Sequence, residues 1–91
     1  MSCILIKSDG TMVDYHQPIG LTAKQEAVGG YIEMVIADNG DVLYVNEEGL
    51  LMDLPYNPRA SAIANRHIVG DVLYYDRESF IKEEEDEERD I

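Results

Sequence analysis

The stretch that decides the fold reads Gly29-Gly30-Tyr31-Ile32-Glu33-Met34-Val35-Ile36-Ala37, then Asp38-Asn39-Gly40-Asp41, then Val42-Leu43-Tyr44-Val45-Asn46-Glu47-Glu48-Gly49, then Leu50-Leu51-Met52-Asp53-Leu54-Pro55-Tyr56-Asn57-Pro58-Arg59. Over 31–37 the side chains alternate. Ile32, Met34 and Ile36 share one face, and Tyr31, Glu33, Val35 and Ala37 share the other, the period of a strand. Asn39-Gly40 is the strongest hairpin signal in the chain, because both residue types tolerate positive φ. Val42 to Asn46 then returns antiparallel, with Leu43 and Val45 on one face and Val42, Tyr44 and Asn46 on the other. This hairpin is expected to form the centre of a small sheet. A second turn, Asn46-Glu47-Glu48-Gly49, leads into Leu50 to Leu54. Asn57 is a good helix N-cap, and Pro58 suits the first helical position, where its missing N–H would be unpaired anyway.

Outward from this core the local signals are shorter. Cys3 to Lys7 is an apolar run ending at Ser8-Asp9-Gly10, so Thr11 to Tyr15 is expected to return beside it as a first hairpin. His16-Gln17-Pro18-Ile19-Gly20 is a connector, since Pro18 cannot donate to a sheet ladder. Thr22 is expected to cap a short helix over Ala23 to Val28, with Gln25 reaching back to it. Gly29 and Gly30 end that helix. The second helix is expected to run from Asn57-Pro58 to about Asn65, and Val72 to Tyr75 reads as a last strand. The fold class expected is α+β: a small, mainly antiparallel β-sheet with two short helices. One domain is expected over residues 1–76. The acidic segment 77–91 reads either as a solvated tail or as a C-terminal helix anchored by Phe80 and Ile81, with Glu78–Lys82 and Glu85–Arg89 as i,i+4 pairs.

Composition narrows the function classes. The chain has 91 residues, 45% of them apolar, which suits one modest core with oligomerisation as a supplement. No apolar run approaches the roughly 20 residues that span a bilayer, so no membrane partner is expected. The start, Met1 to Ile6, lacks the charged flank and cleavage site of a signal peptide. The single cysteine, Cys3, forbids an internal disulfide and suits a reducing, cytoplasmic setting. Net charge is −12, and seven acids against Lys82 and Arg89 crowd the last ten residues. Seven basic residues scattered over the chain do not make the basic surface that duplex nucleic acid requires. An anionic ligand would need one or two arginines converging in a pocket, and Arg59 and Arg66 are the candidates.

No catalytic motif is present: no phosphate-cradling glycine loop with Lys-Ser/Thr, no nucleophile elbow and no metal-ligand spacing. No cofactor, no metal and no enzymatic activity are therefore expected. His16 and His67 read as loop residues, and Cys3 as a small buried hydrophobe. Glu33 with Glu47 and Glu48 reads as solvated acids rather than an acid/base pair. Of the six tyrosines, Tyr31 and Tyr44 are placed to project from the central hairpin, with core packing the favoured reading for any one of them. The segment Tyr56-Asn57-Pro58-Arg59 is the most suggestive site: free N–H groups at a helix start, the Arg59 donor fork, and Tyr56 as a stacking plane. The competing reading is that Asn57 merely caps and Arg59 pairs with an acid.

The blocks Val28-Gly29-Gly30-Tyr31-Ile32-Glu33, Tyr44-Val45-Asn46-Glu47-Glu48-Gly49, Leu54-Pro55-Tyr56-Asn57-Pro58-Arg59-Ala60 and Ile68-Val69-Gly70-Asp71-Val72 resemble, in their order and spacing, a family of small phage and bacterial proteins catalogued as a domain of unknown function. The resemblance covers about residues 3 to 76. Small phage proteins of this kind are in turn similar to the anti-CBASS sponges, which hold a cyclic nucleotide immune signal between protomers of a homo-oligomer without cleaving it. That resemblance implies a small nucleotide ligand, a location in the host cytoplasm, and ligand contacts at Tyr56, Asn57 and Arg59, with Tyr31 and Asn46 as further candidates. The alternative expectation is an acidic interaction protein that imitates nucleic acid or occupies a basic patch on a host factor.

Overall fold

The computed structural model describes residues 3–15 and 20–82. The connector residues 16–19 and the acidic run 83–91, with the Glu85–Arg89 pair, lie outside the described residues. The chain forms β1 (Cys3–Ile6), β2 (Met12–Tyr15), α1 (Leu21–Val28), β3 (Ile32–Ile36), β4 (Val42–Asn46), α2 (Pro58–Ala64) and β5 (Val72–Tyr75). Residues 77–82 are helical and are called α3 here. All strand pairs are antiparallel, and the five-stranded sheet has the order β2-β1-β5-β4-β3. The fold is α+β, as expected.

The β3–β4 hairpin is not the centre of the sheet, contrary to expectation. That place belongs to β5, between β1 and β4, while β3 is an edge. What suits β5 to that place is burial on both faces, which it shares with its neighbour β4 and which β3 lacks. Val72 joins one core cluster with Val35, Leu43, Val45, Ala60, Ala64 and Ile68, on the α2 side. Leu73 and Tyr75 join the other with Cys3, Leu5, Val42 and Tyr44, against Ala27 of α1 and Phe80 of α3. A short, continuously apolar strand is the one that tolerates such a position. Val35 and Ala37 are the buried residues of the β3 segment, whereas Met34 and Ile36 are exposed.

Both hairpins close in the same way. Lys7 N–H donates to Thr11 O and Gly10 N–H to Lys7 O; Ala37 N–H donates to Asp41 O and Gly40 N–H to Ala37 O. Only the glycine of each turn has positive φ, 95° at Gly10 and 92° at Gly40. Asn39 does not share that conformation. Its Oδ1 instead accepts from Asp41 N–H, so the turn is of the bulged, longer type rather than a two-residue one.

Helix α1 also departs from expectation. It begins at Leu21, its N-cap is Gly20, and no side chain caps it. Thr22 therefore sits inside the first turn. What holds this short helix is packing. Lys24 is buried, with its ammonium 4.7 Å from the Tyr44 ring centroid and 5.7 Å from that of Tyr75, a cation over aromatic faces. Helix α2 follows the sequence closely, with Asn57 as N-cap, Pro58 first, and Asn65 ending it in the left-handed conformation at φ 55°. α3 is capped by Asp76, whose Oδ1 accepts from Ser79 N–H. Phe80 packs edge-on to Tyr75, Ile81 remains exposed, and Lys82 Nζ lies 3.6 Å from Glu78 Oε1.

Candidate functional site

The segment from Glu47 to Asp53 is a run of turns that projects Leu50, Leu51 and Met52 into solvent, Leu51 being 83% exposed. Two open clefts flank it. The first, about 370 Å³, lies between this loop, the Glu33–Val35 part of β3 and the segment Arg66 to Val69. The second, about 450 Å³, is lined by Gln25, Gly30, Tyr31, Asn46, Glu48 and Met52. A third hollow, about 370 Å³, continues past Arg66 and His67 to Tyr56, Pro58 and Ala62. All three fall in the size range of small-ligand sites.

The structure scatters the expected contact residues. Asn57 is 0% exposed. Its Oδ1 accepts from Ala60 N–H at 3.0 Å, and its Nδ2 donates to Ile6 O and Gly70 O, each at 2.9 Å. Its polar atoms are thus occupied inside the fold. Asn46 is buried too; Nδ2 donates to Val28 O at 3.1 Å and Oδ1 accepts from Glu48 N–H at 2.8 Å, which ties the end of α1 to the loop. Arg59 is exposed on α2 and lines none of these clefts. Tyr31, 66% exposed, joins Asn46 in the second cleft.

Tyr56 has a different neighbour from the one expected. It forms an isolated antiparallel bridge with Val69, and its ring stacks on His67 with centroids 4.9 Å apart at 25°. Arg66 stands at the same place, lining both hollows that meet at His67. The arginine that shares a hollow with Tyr56 is Arg66, and Arg59 lines none of the three. The signal for this was faint: left-handed Asn65 turns the chain back, but the bridge that aligns residue 69 with 56 is long-range. Arg66 and His67 are outnumbered, since Glu33, Glu47 and Glu48 line the same first cleft.

A separate network joins the β3–β4 turn to α3. Asp41 Oδ2 accepts from Tyr74 Oη at 2.5 Å and from Asn39 Nδ2 at 2.9 Å, and its Oδ1 accepts from Arg77 N–H at 3.0 Å. Burial alone would raise the Asp41 carboxyl, but the hydrogen bonds from Tyr74, Arg77 and Asn39 outweigh it and hold it below its ordinary value of 3.8. Tyr74 is pushed up to about 12, first by burial and then by its bond to Asp41. A depressed carboxylate adds stability above its unfolded value and loses it as pH falls through the folded one. Asp41→Asn is accordingly expected to lower the melting temperature at neutral pH. Its deficit against wild type should shrink below about pH 4, as melts across an acid series would show. A deficit that stays constant with pH would exclude this role.

Among the described residues, no helix is long and apolar enough to cross a membrane, and no group of three or more His, Cys, Asp or Glu is placed to hold a metal ion. No curated protein and no solved structure matches the chain. A family described as "Domain of unknown function (DUF3846)" matches residues 1–89, past residue 76 and into the acidic end. The chain belongs to that family.

Proposed function

We propose that this is a non-enzymatic binding protein whose working surface is the acidic, apolar-tipped loop at Glu47–Asp53, and that its partner is a basic, partly apolar segment of another protein. The observation that carries this reading is the side-by-side exposure of Leu50, Leu51 and Met52 within a border of Glu33, Glu47, Glu48 and Asp53. Apolar side chains in water with a charged rim mark association surfaces. The sign of the rim and the net charge of −12 favour cationic partners and repel anionic ones.

A nucleotide sponge is the second reading, supported by the likeness of small phage proteins of this kind to the anti-CBASS sponges and by the Tyr56–His67 stack in a hollow that Arg66 also lines. A base would lie against the aromatic pair and a phosphate would meet the guanidinium. One titration series separates the two. An amphipathic Lys/Leu peptide is expected to shift amide resonances of residues 47–53, and Leu51→Asp is expected to weaken that binding by about tenfold or more. Cyclic di- and trinucleotides are expected to leave the melting temperature unchanged. A nucleotide-induced rise in melting temperature that Arg66→Ala abolishes would replace the first reading with the second.

A further inference from the structure

We infer that β3 is the contact strand of a symmetric homodimer, in which it pairs antiparallel with β3 of a second copy. Among the described residues no strand pairs with its outer side, because β3 ends the sheet and pairs with β4 alone. The direction of its backbone groups follows from two bonds. Ala37 N–H donates to Asp41 O, and Tyr31 O accepts from Glu47 N–H. The odd-numbered residues thus turn their backbone groups toward β4. By the alternation of an antiparallel ladder, Ile32, Met34 and Ile36 turn theirs outward.

These outward groups match a copy of themselves. With the two-fold axis at Met34, Met34 meets the partner's Met34, and Ile32 meets the partner's Ile36, each as a pair exchanging both backbone hydrogen bonds. Side chains agree with this register. Ile32, Met34 and Ile36 form one row on the α1 side, and Ile36 is 63% exposed in a single chain. Glu33, the one charge on the strand, falls opposite the partner's Val35 rather than the partner's Glu33.

Glu33 is the one feature of β3 that would discourage pairing, and this register sets it opposite the partner's Val35. The strand's sequence Ile-Glu-Met-Val-Ile has no lysine and no proline, and its register with β4 is unbroken over five residues, whereas isolated edges are ordinarily blunted by such devices. Glu33 and Val35 also line the first cleft, so the pairing would place the partner's strand beside that cleft. The inference does not depend on what occupies the cleft, and its test needs no ligand.

Sedimentation of the full-length protein is expected to give a dimer that strengthens with added salt, because two chains of net charge −12 repel until screened. Ile36→Lys is expected to give a folded monomer whose melt no longer depends on protein concentration, and Val13→Lys, on the opposite edge strand, to leave the dimer intact. Met34→Cys places a thiol opposite its own copy at about 5.5 Å between Cα atoms, within disulfide reach. It is expected to oxidise to a covalent dimer. Ile36→Cys, roughly 13 Å along the ladder from its copy, is not. A wild-type monomer at the highest soluble concentration, a dimer that survives Ile36→Lys, or cross-linking of Ile36→Cys in preference to Met34→Cys would each overturn the assignment.

Discussion

Asn57→Ala is expected to cost about 3 kcal/mol of stability. The loss combines a helix cap, worth about 1 kcal/mol, with the withdrawal of a buried donor, at about 1–3 kcal/mol for the groups it leaves. The side chain is 0% exposed, so water has no route to the carbonyls of Ile6 and Gly70 that it serves. Those carbonyls belong to β1 and to the approach to β5, while its Oδ1 holds the first turn of α2. One amide therefore joins two strands of the sheet to a helix. In a domain of this size the change should lower the melting temperature on the order of 15 °C. Asn57→Asp separates the two contributions. The carboxylate keeps the acceptor for Ala60 N–H and loses the donor, and it buries a charge facing two carbonyl oxygens. Its folded pKa would be raised, so the variant should be more stable in acid and lose that stability as pH rises. If Asn57→Ala melts within a few degrees of wild type, the side chain is not bonded as described.

The same residue shows what the sequence could and could not disclose. Asn57 as N-cap, Pro58 as first residue and the stop at Asn65 were legible because capping is settled within one turn. The glycine turns at Gly10 and Gly40 were legible for the same local reason. The use of the Asn57 amide was not, because its two acceptors lie 51 and 13 residues away. Arg59 was expected beside Tyr56 on sequence proximity alone. Tyr56 is instead oriented by its bridge to Val69, which brings up His67 and Arg66, and Arg59 is left exposed on α2. The expected place of the β3–β4 hairpin at the sheet's centre failed in a related way. Alternation reveals a hairpin, but strand order depends on which strand both helical layers can cover. Val72 to Tyr75 has cores on both sides, and so does Val42 to Val45 beside it, whereas β3 leaves Met34 and Ile36 exposed.

Gly70→Val is expected to cost about 4 kcal/mol, from two sources that can be measured apart. Gly70 has φ 80°, where a β-branched residue is a true outlier and any side chain loses roughly 1–2 kcal/mol. A Cβ there would also stand 2.7 Å from Leu54 Cδ1 and 3.4 Å from Leu54 Cβ. The backbone cannot easily yield, since Gly70 N–H donates to Pro55 O at 2.7 Å and Gly70 O accepts from Asn57. Overpacking of this kind adds about 1–3 kcal/mol. Gly49 is the contrasting case. Its Cβ would meet Val69 Cγ2 at 2.8 Å, but Gly49 has no positive φ, so Gly49→Ala should carry the packing cost alone. Leu54→Ala provides the separation at Gly70. It removes the colliding methyls, so in the double variant Gly70→Ala with Leu54→Ala the steric part should vanish and the backbone part persist. Chemical denaturation of the four proteins in that cycle should therefore give a favourable coupling of about 1 kcal/mol or more. Strict additivity would mean that Leu54 does not press on residue 70. The consequence extends to the Tyr56–His67 stack, because Pro55 to Asn57 and Ile68 to Gly70 are the paired segments that hold Tyr56 and His67 in place. A Gly70 variant that remains folded should lose the Tyr56–His67 stack before it loses its sheet.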